Sequence, residues 1–328
     1  MKTLTGILAA GAALSALIAG AAVAAETPLK IVYATHSDSS NAFWLTVKKG
    51  MDDACAELKA DCQMIFVSKP GDTQGQIANI EAAIAQKPDM IITSITDNKA
   101  YDAVIKEAMD AGIPVVASNV DDTEGAKGNA RLAFVGQDFV TAGYALGRAG
   151  IAKFPADGPI KVLVGINVPS DNWSRTRADG IIKALNEFKA ANPNRDITID
   201  TIDAGVDYGT TGDRFGNYLT GTPDLTAYFD TGFWDVAAVK VLKDRGIPPG
   251  KVVLGGFDLV PDVLAAMKEG YIMMAVDQQP YLQGYVPVMQ ANLMKKYKLS
   301  AYDVNTGSAI VTPDQADAIV DLSKQGYR

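Results

Sequence analysis

The chain has 328 residues with a formal net charge of -8, from 30 Lys and Arg against 38 Asp and Glu, and 48% hydrophobic residues. That acidic balance argues against a nucleic-acid footprint, and the length exceeds what one hydrophobic core usually serves, so two domains are expected. The two cysteines, Cys55 and Cys62, are too few for a four-ligand zinc site; a local disulfide and a pair of buried thiols both stay open.

In chain order, Lys2 is the only charge before Glu26, and a small, apolar stretch between them ends in Ala-x-Ala choices around Ala22, Ala24 and Ala25. Residues 1–25 read as a cleaved secretory signal peptide, which makes the mature protein an exported one and leaves it with a charge of about -9 once Lys2 is removed. The apolar part is short and Ala/Gly-rich and lacks a basic stop-transfer flank, which disfavours a membrane anchor.

Beyond the leader, IVYAT, QMIFV, DMIITS, PVVAS and LAFVG alternate with amphipathic stretches from about Asn41, Gln76 to Gln86 and Lys99 to Ala111. After a helix at about Thr141 to Lys153 the pattern restarts with IKVLVGI, a helix from Ser174 to Ala190, ITIDTID, a helix near Arg214, LTAYFD, a helix from Val236 to Arg245, KVVLGGFD, a short helix and YIMMAVD. Parallel strands with crossover helices, twice over, are expected. A weak internal repeat supports the division: Pro88-Asp89 opens a strand and Gly112-Ile113-Pro114 closes the next helix, and the same signals recur at Pro223-Asp224 and Gly246-Ile247-Pro248.

Ligands of open α/β sheets sit at the carboxyl ends of the strands. Here those ends read THSDSSNAFW, TSITDN, SNVDD, NVPSDNWSRTR, DTGFWD, GFDLVPD and DQQPY, rich in Asp, Asn, Gln, Arg and aromatics. Sugar hydroxyls both donate and accept, so amides and carboxylates grip them in pairs while Arg supplies a fork of donors. The apolar ring faces pack on aromatic side chains. An acidic crevice also disfavours anions, leaving a small neutral polyhydroxylated ligand as the expected partner.

Four marks in order, Asn41-Ala42-Phe43-Trp44, Arg177-Ala178-Asp179-Gly180, Gly256-Phe257-Asp258 with Pro261-Asp262, and Gln278-Gln279-Pro280, make the chain resemble the type I periplasmic solute-binding proteins of bacterial ABC transporters, in the ribose and glucose/galactose branch. The resemblance implies an α/β fold of two doubly wound parallel-sheet lobes joined by a three-segment hinge, with residues 28–136 plus 279–307 in one lobe and 137–278 plus 308–328 in the other. It further implies a periplasmic monomer that closes on a monosaccharide, polyol or cyclitol and delivers it to a membrane permease, without cofactor, metal or catalysis. Position by position it implies ligand contacts from Asn41, Phe43, Trp44, Asn119, Arg177, Thr231, Asp258 and Gln278. A second set, His36, Asp97, Asp121, Asn172, Trp173, Phe233 and Trp234, stands at the same strand ends, and Asp171 and Asp235 are open between ligand contact and structural roles. Val120 and Thr231 depart from the pattern of ribose-binding members, which argues against ribose itself.

Other classes fit less well. A Ser-His-Asp hydrolase would have to use His36, the only histidine, and no G-x-S-x-G elbow accompanies it. GYALGRAG has the wrong glycine spacing for a dinucleotide site. A secreted glycosidase, and a receptor for a signalling molecule such as a furanose-derived autoinducer or a nucleoside on the same fold, remain the alternatives.

Overall fold

A computed structural model describes residues 27–328; the expected signal peptide lies outside the described residues. The apolar runs form β1 (Lys30–Ala34), β2 (Asp61–Ile65), β3 (Met90–Thr93), β4 (Val115–Asn119) and β5 (Ala133–Gly136). Between them lie α1 (Ala42–Leu58), α2 (Thr73–Ala85) and α3 (Asp102–Asp110). After α4 (Phe139–Ile151) the order repeats as β6 (Ile160–Ile166), α5 (Asn172–Ala191), β7 (Ile197–Asp203), α6 (Tyr208–Gly221), β8 (Ala227–Asp230), α7 (Asp235–Asp244), β9 (Val253–Phe257), α8 (Pro261–Lys268) and β10 (Ile272–Asp277). The C-terminal segment adds α9 (Pro280–Tyr297), β11 (Val304–Asn305), β12 (Ala309–Val311) and α10 (Pro313–Lys324).

Two six-stranded sheets result, ordered β11-β5-β4-β3-β1-β2 and β12-β10-β9-β8-β6-β7. The orders correspond strand for strand, with β1 matching β6 and β4 matching β9, as the internal repeat suggests. All pairings are parallel except β12 against β10, an antiparallel edge that strand patterning did not anticipate. The central strands are buried, as expected for sheets covered on both faces. The chain leaves the first sheet after β5, returns to it after β10, and passes back to the second between β11 and β12.

The helix punctuation also holds. Gly112 and Gly246 follow α3 and α7 in the left-handed region, at φ 77° and 67°, where glycine carries no Cβ penalty. Each lobe then packs one helix pair at very close range, α1 on α9 and α4 on α5. A Cβ on Gly50 would collide with the Tyr281 carbonyl and one on Gly284 with that of Val47; in the other lobe Gly143 and Gly180 meet Arg177 and Val140 in the same way. These reciprocal glycines bring two backbones together and fix the height at which the first turns of α1 and α5 face the cleft. Cys55 of α1 and Cys62 of β2 form a disulfide with Cα atoms 6.3 Å apart, which resolves the alternative left open by spacing.

Candidate functional site

The first turns of α1 and α5 supply opposite walls of a cleft between the sheets. Asn41 caps α1, its Oδ1 accepting from Phe43 N at 3.0 Å, so a side chain expected to meet ligand also satisfies a helix-end donor. Phe43 and Trp44 follow, both buried and both lining the inner cavity. Trp44 stands edge-on to Tyr33, His36 and Phe43. His36 also reaches the cavity, with Nδ1 2.7 Å from Ser94 Oγ. Burial, aided by the charge of Arg177, lowers its pKa to about 3, so the imidazole is neutral at physiological pH.

On the opposite wall, α5 starts at Asn172, two residues earlier than periodicity suggests. Trp173 and Arg177 therefore lie on its buried face, whereas Arg175 is exposed. The Arg177 guanidinium lies over the rings of Phe257, Phe139 and Trp173, at 4.0, 4.6 and 5.6 Å from their centroids. Its Nη1 donates to the Thr231 carbonyl at 2.9 Å and its Nη2 to Gln137 Oε1 at 3.4 Å, while Nε has no partner among the described residues. Burial lowers its pKa to about 10, against the attraction of Asp258 and Asp230, so it stays cationic. Asp258 and Asp230 are both raised to about 6 by burial and held back by Arg177 and hydrogen bonds.

Two equivalent strand ends complete the floor. Asn119, closing β4, and Asp258, just after β9, both adopt φ 69°. Among non-glycine residues Asn and Asp tolerate this region best, so the same backbone kink turns one amide and one carboxylate into the cleft. Gln278 joins them across the lobes: its Nε2 donates to Asp258 Oδ1 at 2.6 Å and its Oε1 accepts from Asn119 Nδ2 at 3.4 Å.

The inner cavity, about 40 Å³, thus gathers Asn41, Phe43, Trp44, Asn119, Arg177, Asp258 and Gln278 with His36, Trp173, Phe233 and Trp234. Beside it lies an outer chamber of about 310 Å³ that shares the lining residues His36, Asn41, Trp173, Phe233 and Trp234. Phe139 also lines the inner cavity and Gln137 backs its arginine, and neither was foreseen, because the expected start of α4 lay two residues too late. The lobe crossing was expected between residues 136 and 137, and the signal left unused is its correspondence with the crossing after β10, which places Gln278 in the same way.

Four expected residues do not reach the inner cavity. The Thr231 hydroxyl donates to Asn167 Oδ1 and meets Ser174 Oγ, both at 2.8 Å, and only its carbonyl serves the site, by holding Arg177. Asp97 accepts from Lys99 N and Ala100 N ahead of α3, and Asp121 pairs with Arg131. Asn172 crosses the cleft mouth instead: its backbone N donates to Thr96 O at 2.8 Å and its Nδ2 to Asn98 Oδ1 at 2.6 Å. Those bonds hold one rim closed. Of the residues left open, Asp171 precedes α5 and accepts from Trp173 Nε1 at 3.3 Å; burial raises it to about 6. Asp235 is buried with both carboxylate oxygens unpartnered among the described residues, and burial with the nearby charge of Asp230 raises it well above the carboxylate range.

The periplasmic binding protein domain model matches residues 31–298. A xylose/arabinose-binding protein of Sulfolobus acidocaldarius is 29% identical over 86% of this chain and 71% of its own length. Among solved structures, a periplasmic sugar-binding protein of an ABC sugar transporter from Legionella pneumophila superposes with a TM-score of 0.78 at 26% identity, covering 85% of this chain and 99% of that one. A carbohydrate transporter from Acidothermus cellulolyticus in complex with myo-inositol gives 0.79 at 25%, covering 92% and 100%. With two corresponding α/β lobes, a cleft between them and a family match over most of its length, the chain belongs to the periplasmic binding protein family.

Proposed function

We propose that the protein is the periplasmic substrate-binding component of an ABC importer, capturing a monosaccharide or related polyol or cyclitol between its lobes and delivering it to a membrane permease. The observation that carries this reading is the convergence, on one interlobe cavity, of Asn41, Asn119, Arg177, Asp258 and Gln278 with six aromatic rings. The polar groups match the hydroxyl edge of a sugar ring and the aromatic rings match its C–H faces. Gripped at its polar edge by the inner groups, the ring lies along Trp173, Phe233 and Trp234, which line both chambers. The relatives named above as binding xylose and arabinose, and the one holding myo-inositol, agree with that chemistry.

Residues 28–136 with 279–307 form one moving body in this proposal, and 137–278 with 308–328 the other. A ligand touching both stabilises the closed form, in which the Asn172 bonds to Thr96 and Asn98 are made. The leader over residues 1–25 directs export. Binding to the native state raises the melting temperature by mass action. At millimolar concentration, a panel of pentoses, hexoses, inositols and linear polyols should contain at least one compound that raises it by several degrees. A panel without effect, or hydrolysis of a glycoside by the purified protein, would overturn the reading.

A further inference from the structure

The chain crosses between the two sheets after β5, after β10 and between β11 and β12. The first and last of these crossings run side by side, because Asn305 of β11 pairs with Gly136 of β5 and Thr306 N donates to the Gly136 carbonyl at 2.9 Å. Gln137 opens the first crossing and is buried. Its Nε2 donates to the Gly307 carbonyl at 2.8 Å, in the last crossing, and its Oε1 accepts from Arg177 Nη2 at 3.4 Å.

The two partners decide which way this amide points. A carbonyl only accepts and a guanidinium only donates, so the flipped amide would set oxygen against oxygen and N–H against N–H. The crossing after β10 uses the same side chain in the opposite sense, where Gln278 Nε2 donates to Asp258 Oδ1 at 2.6 Å. Each of these two crossings thus sets a glutamine against one charge of the site, offering oxygen to the cation and nitrogen to the anion.

Arg177 needs such a partner. Its contacts with the faces of Phe257, Phe139 and Trp173 are weakly directional, and among the described residues its only other hydrogen bond is from Nη1 to the Thr231 carbonyl. Thr231 and Gln137 together fix the rotation of the guanidinium in its own plane and leave its remaining N–H donors for a ligand. Gln137 lines neither the inner cavity nor the outer chamber, so its route to the ligand is through the arginine.

We propose that Gln137 is a positioning residue for Arg177: it ties the guanidinium to two of the crossings, so that the arginine is aimed into the site from the hinge as well as from its own lobe. This rests on the proposed sugar-binding function, in which Arg177 donates to ligand hydroxyls.

Gln137→Met removes both hydrogen bonds with little change in volume, whereas Gln137→Glu keeps an acceptor for the guanidinium. Calorimetry with the tightest binder among D-xylose, L-arabinose, D-glucose, D-galactose and myo-inositol should show a loss of about tenfold for Gln137→Met, the low end for a hydrogen bond to a charged group, and of less than about threefold for Gln137→Glu. In an Arg177→Met background Gln137→Met should cost no further affinity, since residues that act through one another are not additive. Nitrogen NMR of the ligand-free protein, with the Arg177 guanidinium identified by the loss of its signal in Arg177→Met, should show rotation several-fold faster in Gln137→Met and close to wild type in Gln137→Glu. The proposal is overturned if guanidinium rotation is unchanged in Gln137→Met, if the two methionine substitutions are additive, or if Gln137→Glu binds as weakly as Gln137→Met. Should none of the five compounds bind the wild type, the sugar-binding reading falls, and the rotation rates alone decide whether Gln137 positions Arg177.

Discussion

The N-terminal wall of the cleft opens its first helix with Asn41, Phe43 and Trp44; the C-terminal wall opens the corresponding helix with Asp171, Trp173 and Arg177. The frames agree closely, down to the glycine crossings beneath both helices and the left-handed backbone at Asn119 and Asp258. The charges do not. His36, Asn41 and Asn119 leave the first wall neutral, whereas the second buries Arg177 with Asp230, Asp235 and Asp258. Burying those groups costs free energy that their mutual attraction only partly offsets. A ligand with hydroxyls fills the unmet hydrogen-bonding capacity on that side, so the walls are expected to contribute unequally to binding.

Replacing Arg177 breaks the comparison most severely. Arg177→Met keeps much of the stem and removes the donors; charge-assisted hydrogen bonds contribute about 1.5–3 kcal/mol each, so ligand affinity should fall about 100-fold by calorimetry. A loss below threefold would remove Arg177 from the site. Next is a difference in stability rather than binding. Only the first lobe carries a disulfide, and for so short a loop Cys55→Ser with Cys62→Ser should cost about 2 kcal/mol. Denaturant unfolding should show that loss, while the affinity of the folded protein stays unchanged.

Acidity separates the walls more gently. Asp171, Asp230 and Asp258 have folded pKa values raised to about 6, so the folded protein binds protons that the unfolded chain has released. Their contribution to stability is fully present below the unfolded value near 4 and is lost as pH rises through about 6. Affinity runs the opposite way, because hydroxyl donors need the ionised Asp258. Binding should strengthen between pH 5 and 7 by up to about tenfold per pH unit below the pKa, and Asp258→Asn should flatten the profile. His36, at about 3, adds nothing in that window. The smallest effect belongs to the neutral wall. Asn41→Ala should weaken binding by about 1 kcal/mol, the size of a neutral hydrogen bond, and destabilise α1 by about 1 kcal/mol through loss of the cap.

The frame was legible because both sheets obey simple rules: β-branched runs for buried strands, and glycine then proline at helix-to-strand junctions. Asn41, Arg177, Asp258 and Gln278 were legible because strand ends project into the crevice and their motifs resemble those of a known family. What escaped depends on contacts that sequence does not carry. Thr231 and Asn167 satisfy each other, turning the threonine hydroxyl away from the cavity. Arg131 claims Asp121 from ten residues away. Gln137 and Phe139 were missed as site residues although a crossing between lobes was expected there, because no motif marks their side chains as Gln278-Gln279-Pro280 marks the partner crossing. Asp230 was hidden by its position as the last residue of an apolar strand, where it bonds Tyr228 and Gly232 N instead of solvent.

In the proposed function one neutral hydroxylated ring is held between unequal walls. Calorimetric titration of the pentose, hexose and inositol panel at pH 7.5, on the wild type and on Arg177→Met, is the decisive measurement. The expected result is one-to-one binding of at least one compound with Kd near micromolar or tighter, about -8 kcal/mol, and a loss of about 100-fold in the variant. A panel without binding, or a ligand held equally well by Arg177→Met, would contradict it.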